Sequence, residues 1–219
     1  FRLGKYMAAC DELSITIKGK GGHAALPDKV INPITIAAKM IINTKRLVNE
    51  LSNGNKYILE FGDFHAYGAS NVIPEEAYLQ GTLRTLDENF RKQIHKILLT
   101  EAKETEKKYS AICDFQIKKG YPTLYNNPEL TTKCKQLSQE FLGLNAVKDL
   151  HVRMSSEDFS YFSKECPSCF FRLGVANSKK NINHLVLTPY FNIDEESLKI
   201  GVGLMSYLTI FNLLTQKTI

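Results

Sequence analysis

The chain lacks any apolar run long enough for a simple membrane span. Its longest mainly apolar uncharged stretch, from Ile200 to its last apolar residue Leu214, is fifteen residues and is broken by Ser206, Thr209 and Asn212, against the roughly 20 that a bilayer core demands. On that count no membrane partner is expected. There is no signal-peptide pattern at the start, and the five cysteines are an odd number. Reduced thiols in a cytoplasmic protein are the expectation. No internal repeat and no low-complexity tract interrupts the chain. Charge of one sign is also scarce. The net charge is +5, from 28 basic and 23 acidic residues, and the basic residues are scattered rather than gathered as a nucleic-acid footprint would require. No nucleic-acid partner is expected. An initiator Met is missing too. The opening Phe1-Arg2-Leu3-Gly4 runs almost at once into structured-looking sequence, as in a piece of something longer or a processed product.

What is present is globular. With 219 residues, 43% hydrophobic and 23% charged, the chain can bury a core without staples as one large domain or two small ones. Leu13, Ile15 and Ile17 alternate with polar residues as a half-buried strand does. Asn32-Pro33 supplies an N-cap and a proline at the first helical position, and apolar residues from Ile34 to Leu51 continue at helical spacing until Asn53-Gly54. Tyr57–Phe61 and Leu79–Leu83 read as further strands. Asp87 caps a second helix with Phe90, Ile94 and Leu98 on its apolar face, and Glu88–Lys92 and Glu104–Lys108 as spaced ion pairs. Cys113–Ile117 closes the set. The order is β-α-β-β-α-β, a ferredoxin-like unit over 12–119.

Composition shifts at Gly120-Tyr121-Pro122. Beyond it a helix around Leu130–Phe141, a strand at Ala146–Leu150, a short helix after Ser155-Ser156 and an apolar strand at Cys169–Val175 are expected. A last helix opens at Asn192, with Glu195 three residues on. The fold class is α/β. The division is a short first segment (1–11), the ferredoxin-like domain (12–119) and part of a layered α/β domain (120–219).

Several residues could carry chemistry. His23 ends the glycine-rich run Gly19-Lys20-Gly21-Gly22, where backbone can approach a ligand closely, though neither phosphate-binding glycine motif is complete. Arg84, on a strand, has the forked donor array that clamps a carboxylate. Glu157 and Asp158 are adjacent carboxylates in what reads as a helix start capped by Ser155. Neighbours on a helix diverge, so one of them at most is expected to be chemical. Cys166-Pro167-Ser168-Cys169 has redox or zinc spacing, but no second pair follows, and structural cysteines are expected. His95, among helix charges, reads as surface.

Taken together, the segments resemble the metal-dependent aminoacylase/carboxypeptidase family, in its N-acyl-amino-acid amidohydrolase branch, which includes hippurate and auxin-conjugate hydrolases. The resemblance rests on Met7-Ala8-Ala9-Cys10-Asp11-Glu12, Lys18-Gly19-Lys20-Gly21-Gly22-His23-Ala24-Ala25, Asn71-Val72-Ile73-Pro74, Gly81-Thr82-Leu83-Arg84-Thr85, Tyr121-Pro122 with Asn126, Ser156-Glu157-Asp158-Phe159 and Thr188-Pro189-Tyr190-Phe191. It implies that 12–119 is a lid and dimerisation domain, and 120–219 the C-terminal part of a two-metal catalytic domain. It further implies a divalent cofactor, zinc or manganese, in the full-length enzyme. The substrate would be a small N-acyl amino acid or peptide, and the assembly a homodimer through 12–119. His23 would reach the partner's site and stabilise an oxyanion. Asn71, Arg84 and Glu157 would hold substrate.

Two departures accompany the resemblance. The family's first half, with most metal ligands and the base, has no counterpart here. The ligand histidine expected before Thr188-Pro189 is Leu187, leaving His184, three residues earlier, as the metal-binding candidate. Either His184 substitutes through a re-routed loop or the ligand is erased. Erasure is the expectation, because a three-residue offset along a strand reverses the face and moves about 10 Å. A catalytically silent paralogue, or a fragment serving as a dimerising or binding module, is the alternative function. An RNA-binding ferredoxin-like domain would want aromatic strand motifs that are missing.

Overall fold

The computed structural model describes residues 1–216; the last three residues of the 120–219 segment lie outside the described residues. In chain order the elements are β1 (Gly4–Met7), β2 (Ala9–Lys18), β3 (Gly22–His23), α1 (Pro33–Ser52), β4 (Tyr57–His65), β5 (Val72–Ile73) and β6 (Glu76–Thr85). There follow α2 (Glu88–Tyr109), β7 (Ile112–Lys119), β8 (Leu124–Asn126), α3 (Pro128–Leu142), α4 (Phe162–Glu165) and α5 (Glu196–Gln216). These form two compact units. One, termed the lid unit after the resemblance drawn from the sequence, comprises Lys5–Leu124 with Val152–Tyr161, and the other, the helical unit, Phe1–Gly4, Tyr125–His151 and the chain from Phe162 onward.

The lid unit is ferredoxin-like. Its four-stranded sheet has the order β4-β6-β2-β7, antiparallel throughout. Period-2 alternation sends Leu13, Ile15 and Ile17 to one face, where they pack with Leu79, Leu83 and Phe115. Helices α1 and α2 cover that face with Ile36, Met40, Val48, Phe90, Ile94 and Leu98. The helix ends are set locally. Asn32 Oδ1 accepts from the N–H of Ile34 at 3.0 Å, Pro33 occupies the first helical position, and Asn53 stops α1 in the left-handed region at φ 42°. Asp87 caps α2 through the N–H groups of Asn89 and Phe90, both at 3.0 Å.

One charged cluster sits inside this apolar layer. Asp11 shares the buried phase of β2 with Leu13 and Ile15 and has no solvent exposure. Arg91 Nε donates to its Oδ2 at 2.9 Å while Arg91 Nη2 bonds Oδ1. His95 Nε2 lies 2.6 Å from Oδ2, and the Gly120 N–H donates to Oδ1 at 3.2 Å. His95 is therefore not the surface residue its helix charges suggest: its side chain is 11% exposed, because the neighbouring strand presents a carboxylate to it. Glu88 pairs with Arg91 and accepts the Thr123 N–H at 2.8 Å. Burial would raise the Asp11 carboxyl. The Arg91 and His95 hydrogen bonds and charges outweigh burial and hold it at about 2, against an ordinary 3.8.

The helical unit differs more from expectation. Helix α3, capped by Asn127 through the Leu130 N–H at 2.9 Å, packs on α5 around Cys134, Leu137, Leu204, Leu208 and Phe1. The strands expected at Ala146–Leu150 and Cys169–Val175 are not formed. Residues 144–146 make a single 3-10 turn, and the backbone that follows bonds Phe1 instead of a ladder, Leu150 N to Phe1 O at 2.7 Å. Around Phe170 the backbone is satisfied by a side chain: Asn126 donates to its carbonyl and accepts its N–H, at 2.8 and 2.7 Å. A β-ladder needs a neighbouring strand, and the amide of Asn126 takes that place. The last helix begins at Glu196 rather than Asn192; the Asp194 carboxylate accepts the Glu196 N–H and so sets the start.

Removing one partner of a buried charge cluster leaves the others uncompensated. Asp11→Asn should cost roughly 3–5 kcal/mol in urea unfolding at pH 7. Because the folded carboxyl is depressed, its contribution is complete above about pH 4 and is lost as pH falls toward 2. The wild-type unfolding midpoint should drop through that window, and the Asp11→Asn midpoint should change less there.

Candidate functional site

His23 and Asn71 are brought together by a small two-stranded ladder between segments about fifty residues apart in the chain. Strands β3 and β5 pair antiparallel with His23 opposite Val72, and the Ala24 N–H donates to the Asn71 carbonyl at 3.0 Å. Both residues are exposed. The glycines before His23 allow the close approach: a Cβ on Gly21 would stand 2.8 Å from the Ile73 carbonyl oxygen, and one on Gly19 would overlap the Ile31 carbonyl. The Ala25 N–H donates to His23 Nδ1 at 3.1 Å. In the neutral ring an accepting Nδ1 assigns the proton to Nε2. The exposed ring therefore offers an Nε2–H donor, the geometry an oxyanion acceptor requires.

Arg84 belongs to a second cluster. It lies near the end of β6 opposite Cys10 and donates from Nη1 to Ser156 Oγ at 3.2 Å. That contact leaves the rest of its forked donor array for a carboxylate. Glu157, next in the chain, stands in extended conformation ahead of a 3-10 turn at Asp158–Ser160, and its side chain accepts from the Asp158 N–H. Glu157 is thus the cap, where Ser155 was expected. Because it precedes the helix, its carboxyl meets that of Asp158 in a hydrogen bond instead of diverging. Partial burial first, then the bond and charge of Asp158, raise the Glu157 carboxyl above its ordinary value.

The two clusters do not meet within one lid. His23 and Asn71 sit by the Glu76 end of β6, and Arg84 is eight residues further along the same strand, about 26 Å at strand rise.

His184 lies exposed on a loop with its ring 5.5 Å from that of Tyr190. Leu187 is 101% exposed, with a left-handed φ of 65°. Among the described residues no group of three or more His, Cys, Asp or Glu side chains is placed to hold a metal ion. The donors among the described residues therefore do not fit a two-metal centre.

The cysteines are all free. Cys134 and Cys169 share a hydrogen bond that lowers the Cys134 thiol to about 7 and raises Cys169. Cys166 is exposed and bonds locally, so the C-x-x-C spacing does not gather into one site. Sequence reasoning missed the Asp11–Arg91–His95 cluster and Ser156. The signal for Asp11 was a carboxylate on the apolar phase of the β2 alternation.

Three comparisons bear on these clusters. Residues 11–110 match the peptidase dimerisation domain of the M20 family. N-acetyldiaminopimelate deacetylase from Enterococcus faecalis is 33% identical over 215 residues, covering 94% of this chain and 53% of that protein. Among solved structures, one from methicillin-resistant Staphylococcus aureus superposes with a TM-score of 0.83 at 27% identity, over 95% of this chain and 53% of that one. The Bacillus subtilis YXEP protein, described as a dinuclear metal-binding M20 peptidase, does so at 0.71 and 24%, over 98% and 53%. The chain spans about half the length of the curated relatives it matches.

The β3–β5 ladder makes a local prediction. Nitrogen-15 shifts of the His23 ring at neutral pH should report Nε2–H. His23→Ala should change stability by less than about 0.5 kcal/mol, as an exposed substitution does, in the same urea assay.

Proposed function

Taking as premise that the chain carries the M20 peptidase dimerisation domain and the C-terminal part of that family, we propose that it is the lid-bearing portion of a metal-dependent amidohydrolase. The substrate class is N-acyl amino acids and related peptide amides, a reading supported by the deacetylase relative's name.

The observation that carries this reading is the separation of His23 and Asn71 from Arg84 along one sheet. A substrate amide and its carboxylate lie a few ångströms apart, far less than about 26 Å. A site that uses both clusters draws His23 and Asn71 from a second copy, which makes the homodimer part of the function. In that arrangement the Nε2–H of His23 meets the oxyanion that develops on the amide carbonyl. Arg84, steadied by Ser156, clamps the substrate carboxylate with paired N–H donors. Glu157, with its raised carboxyl, stands beside Ser156 as a further substrate contact. Asn71 supplies an amide at the same two-stranded ladder as His23. Divalent metal, zinc or manganese, belongs to the whole enzyme; the described donors of this chain do not fit it. The cytoplasmic reading from the free thiols is part of the same proposal.

The second reading, a silent dimerising module, draws on Leu187, whose side chain cannot ligate a metal and which stands where the resemblance places a histidine.

Light scattering at high micromolar concentration is expected to give a dimer for the 219-residue chain; a monomer would overturn the shared-site reading. The same sample, supplied with zinc or manganese, should release no amino acid from N-acetyl or N-benzoyl substrates. Metal-dependent turnover would show that the chain holds a complete centre after all.

A further inference from the structure

Cys134 lies on α3 and Cys169 in the irregular segment that follows α4, and the helical unit brings their side chains together. Cys134 is buried among Leu137, Leu204, Leu208 and Phe1, and the half-buried Cys169 packs against that cluster. Backbone bonds hold Cys169 from both sides. The Ser168 carbonyl accepts the Asn127 N–H at 2.9 Å, and Phe170 is bonded through its N–H and its carbonyl to the Asn126 side chain. The two thiols hydrogen-bond each other, and Asn212 Nδ2 on α5 donates to Cys134 Sγ at 3.8 Å.

The helix that supplies Asn212 also corrects the length argument against a membrane span. Glu196–Leu214 has a mean hydropathy of 1.4 over its most apolar window and is long enough to cross a bilayer. The uncharged run is shorter than the helix, because the helix takes in Glu196 and Lys199. Packing argues against lipid nonetheless. Helix α3 packs on α5 and carries Lys133, Lys135 and Glu140, and Tyr207 on α5 donates to Glu140 at 3.3 Å. Hydrocarbon around α5 would have to take in those charges as well.

The pair is polarised. The Cys169 hydrogen bond, helped by the Asn212 N–H and the charge of Lys133, outweighs burial at Cys134 and makes it the thiolate, with Cys169 the S–H donor. The neighbouring Cys166 is held apart by the Phe162 carbonyl at 3.7 Å and the Ser168 hydroxyl at 3.6 Å. Cys113, with its Sγ 3.6 Å from Met40 Sδ, is pushed up by burial to about 12. We propose that Cys134 and Cys169 are a peroxide-responsive thiol pair that closes to a reversible disulfide. The Cys134 thiolate attacks one oxygen of hydrogen peroxide. The O–O bond breaks, hydroxide leaves and takes a proton from solvent, and Cys134 becomes a sulfenic acid. The Cys169 sulfur then attacks the sulfenic sulfur. The S–S bond forms, the S–OH bond breaks, and the departing hydroxide takes the Cys169 proton. Two thiols have given up two electrons and the peroxide has become two waters. A disulfide tolerates little backbone displacement, and the bonds from Asn126 and Asn127 already fix the Cys169 segment at the start of α3. The proposal does not depend on the amidohydrolase reading.

The test treats the purified, reduced 219-residue chain with hydrogen peroxide at neutral pH, alkylates what remains reduced and maps the peptides without reductant. Cys134 should be joined to Cys169, with two of the five thiols lost, Cys113 still reduced, and both lost thiols restored by dithiothreitol. The rate should rise about tenfold between pH 6 and pH 8, as the thiolate fraction of a group ionising near 7 does. In Cys169→Ser the reaction should stop at a Cys134 sulfenic acid that dimedone captures, and Cys166→Ala should form the wild-type cross-link. The wild-type map and pH profile decide the matter without either variant. A Cys166–Cys169 bridge, a disulfide between two chains, oxidation that leaves Cys134 and Cys169 reduced, or a rate flat across that pH range would each overturn the proposal.

Discussion

The lid unit depends on one carboxylate held out of water. Asp11 occupies a position on β2 that its neighbours give to Leu13 and Ile15, and the fold tolerates it only because α2 delivers Arg91 and His95 to its two oxygens. The cluster does more than neutralise a charge. Arg91 also donates to the carbonyls of Cys10 and Gly120, and Glu88 takes the Thr123 N–H. The segment entering the sheet and the one leaving it are thereby fixed to the same helix. An apolar residue at position 11 could fill the volume but could not align those segments, which is how a buried ion cluster contributes specificity.

Much of the lid was legible because its signals are local. Alternation identified β2, and capping residues Asn32, Asp87 and Asn53 set the helix ends. The spacing of strands and helices then gave the ferredoxin-like order. His23, Asn71 and Arg84 were legible through resemblance, and the geometry adds what residue types cannot: which of them share a ladder and which ring nitrogen of His23 accepts a backbone hydrogen bond. The cluster around Asp11 was hidden for a different reason. His95 sits among helix charges in sequence, and only the register of β2 against α2 shows that it faces inward.

The helical unit was harder to read because its expected strands depend on partners distant in sequence. An apolar run such as Cys169–Val175 has strand composition, but composition does not supply a neighbour, and here the side chain of Asn126 satisfies the backbone instead. Glu157 was misjudged for a related reason. One residue of difference in where a helix starts decides whether adjacent carboxylates diverge or meet.

Leu187 stands fully exposed on backbone of a conformation that leucine seldom adopts. Its φ of 65° lies in a region that leucine enters at a cost of roughly 1–2 kcal/mol, while histidine and asparagine are several-fold enriched there among non-glycine residues. The loop therefore keeps a conformation friendlier to the histidine that the family resemblance assigns to this position than to the leucine that occupies it. An imidazole at 187 would carry the same Cβ and meet the same backbone as the leucine now there, so the conformation of the loop by itself would not stand in the way of a histidine.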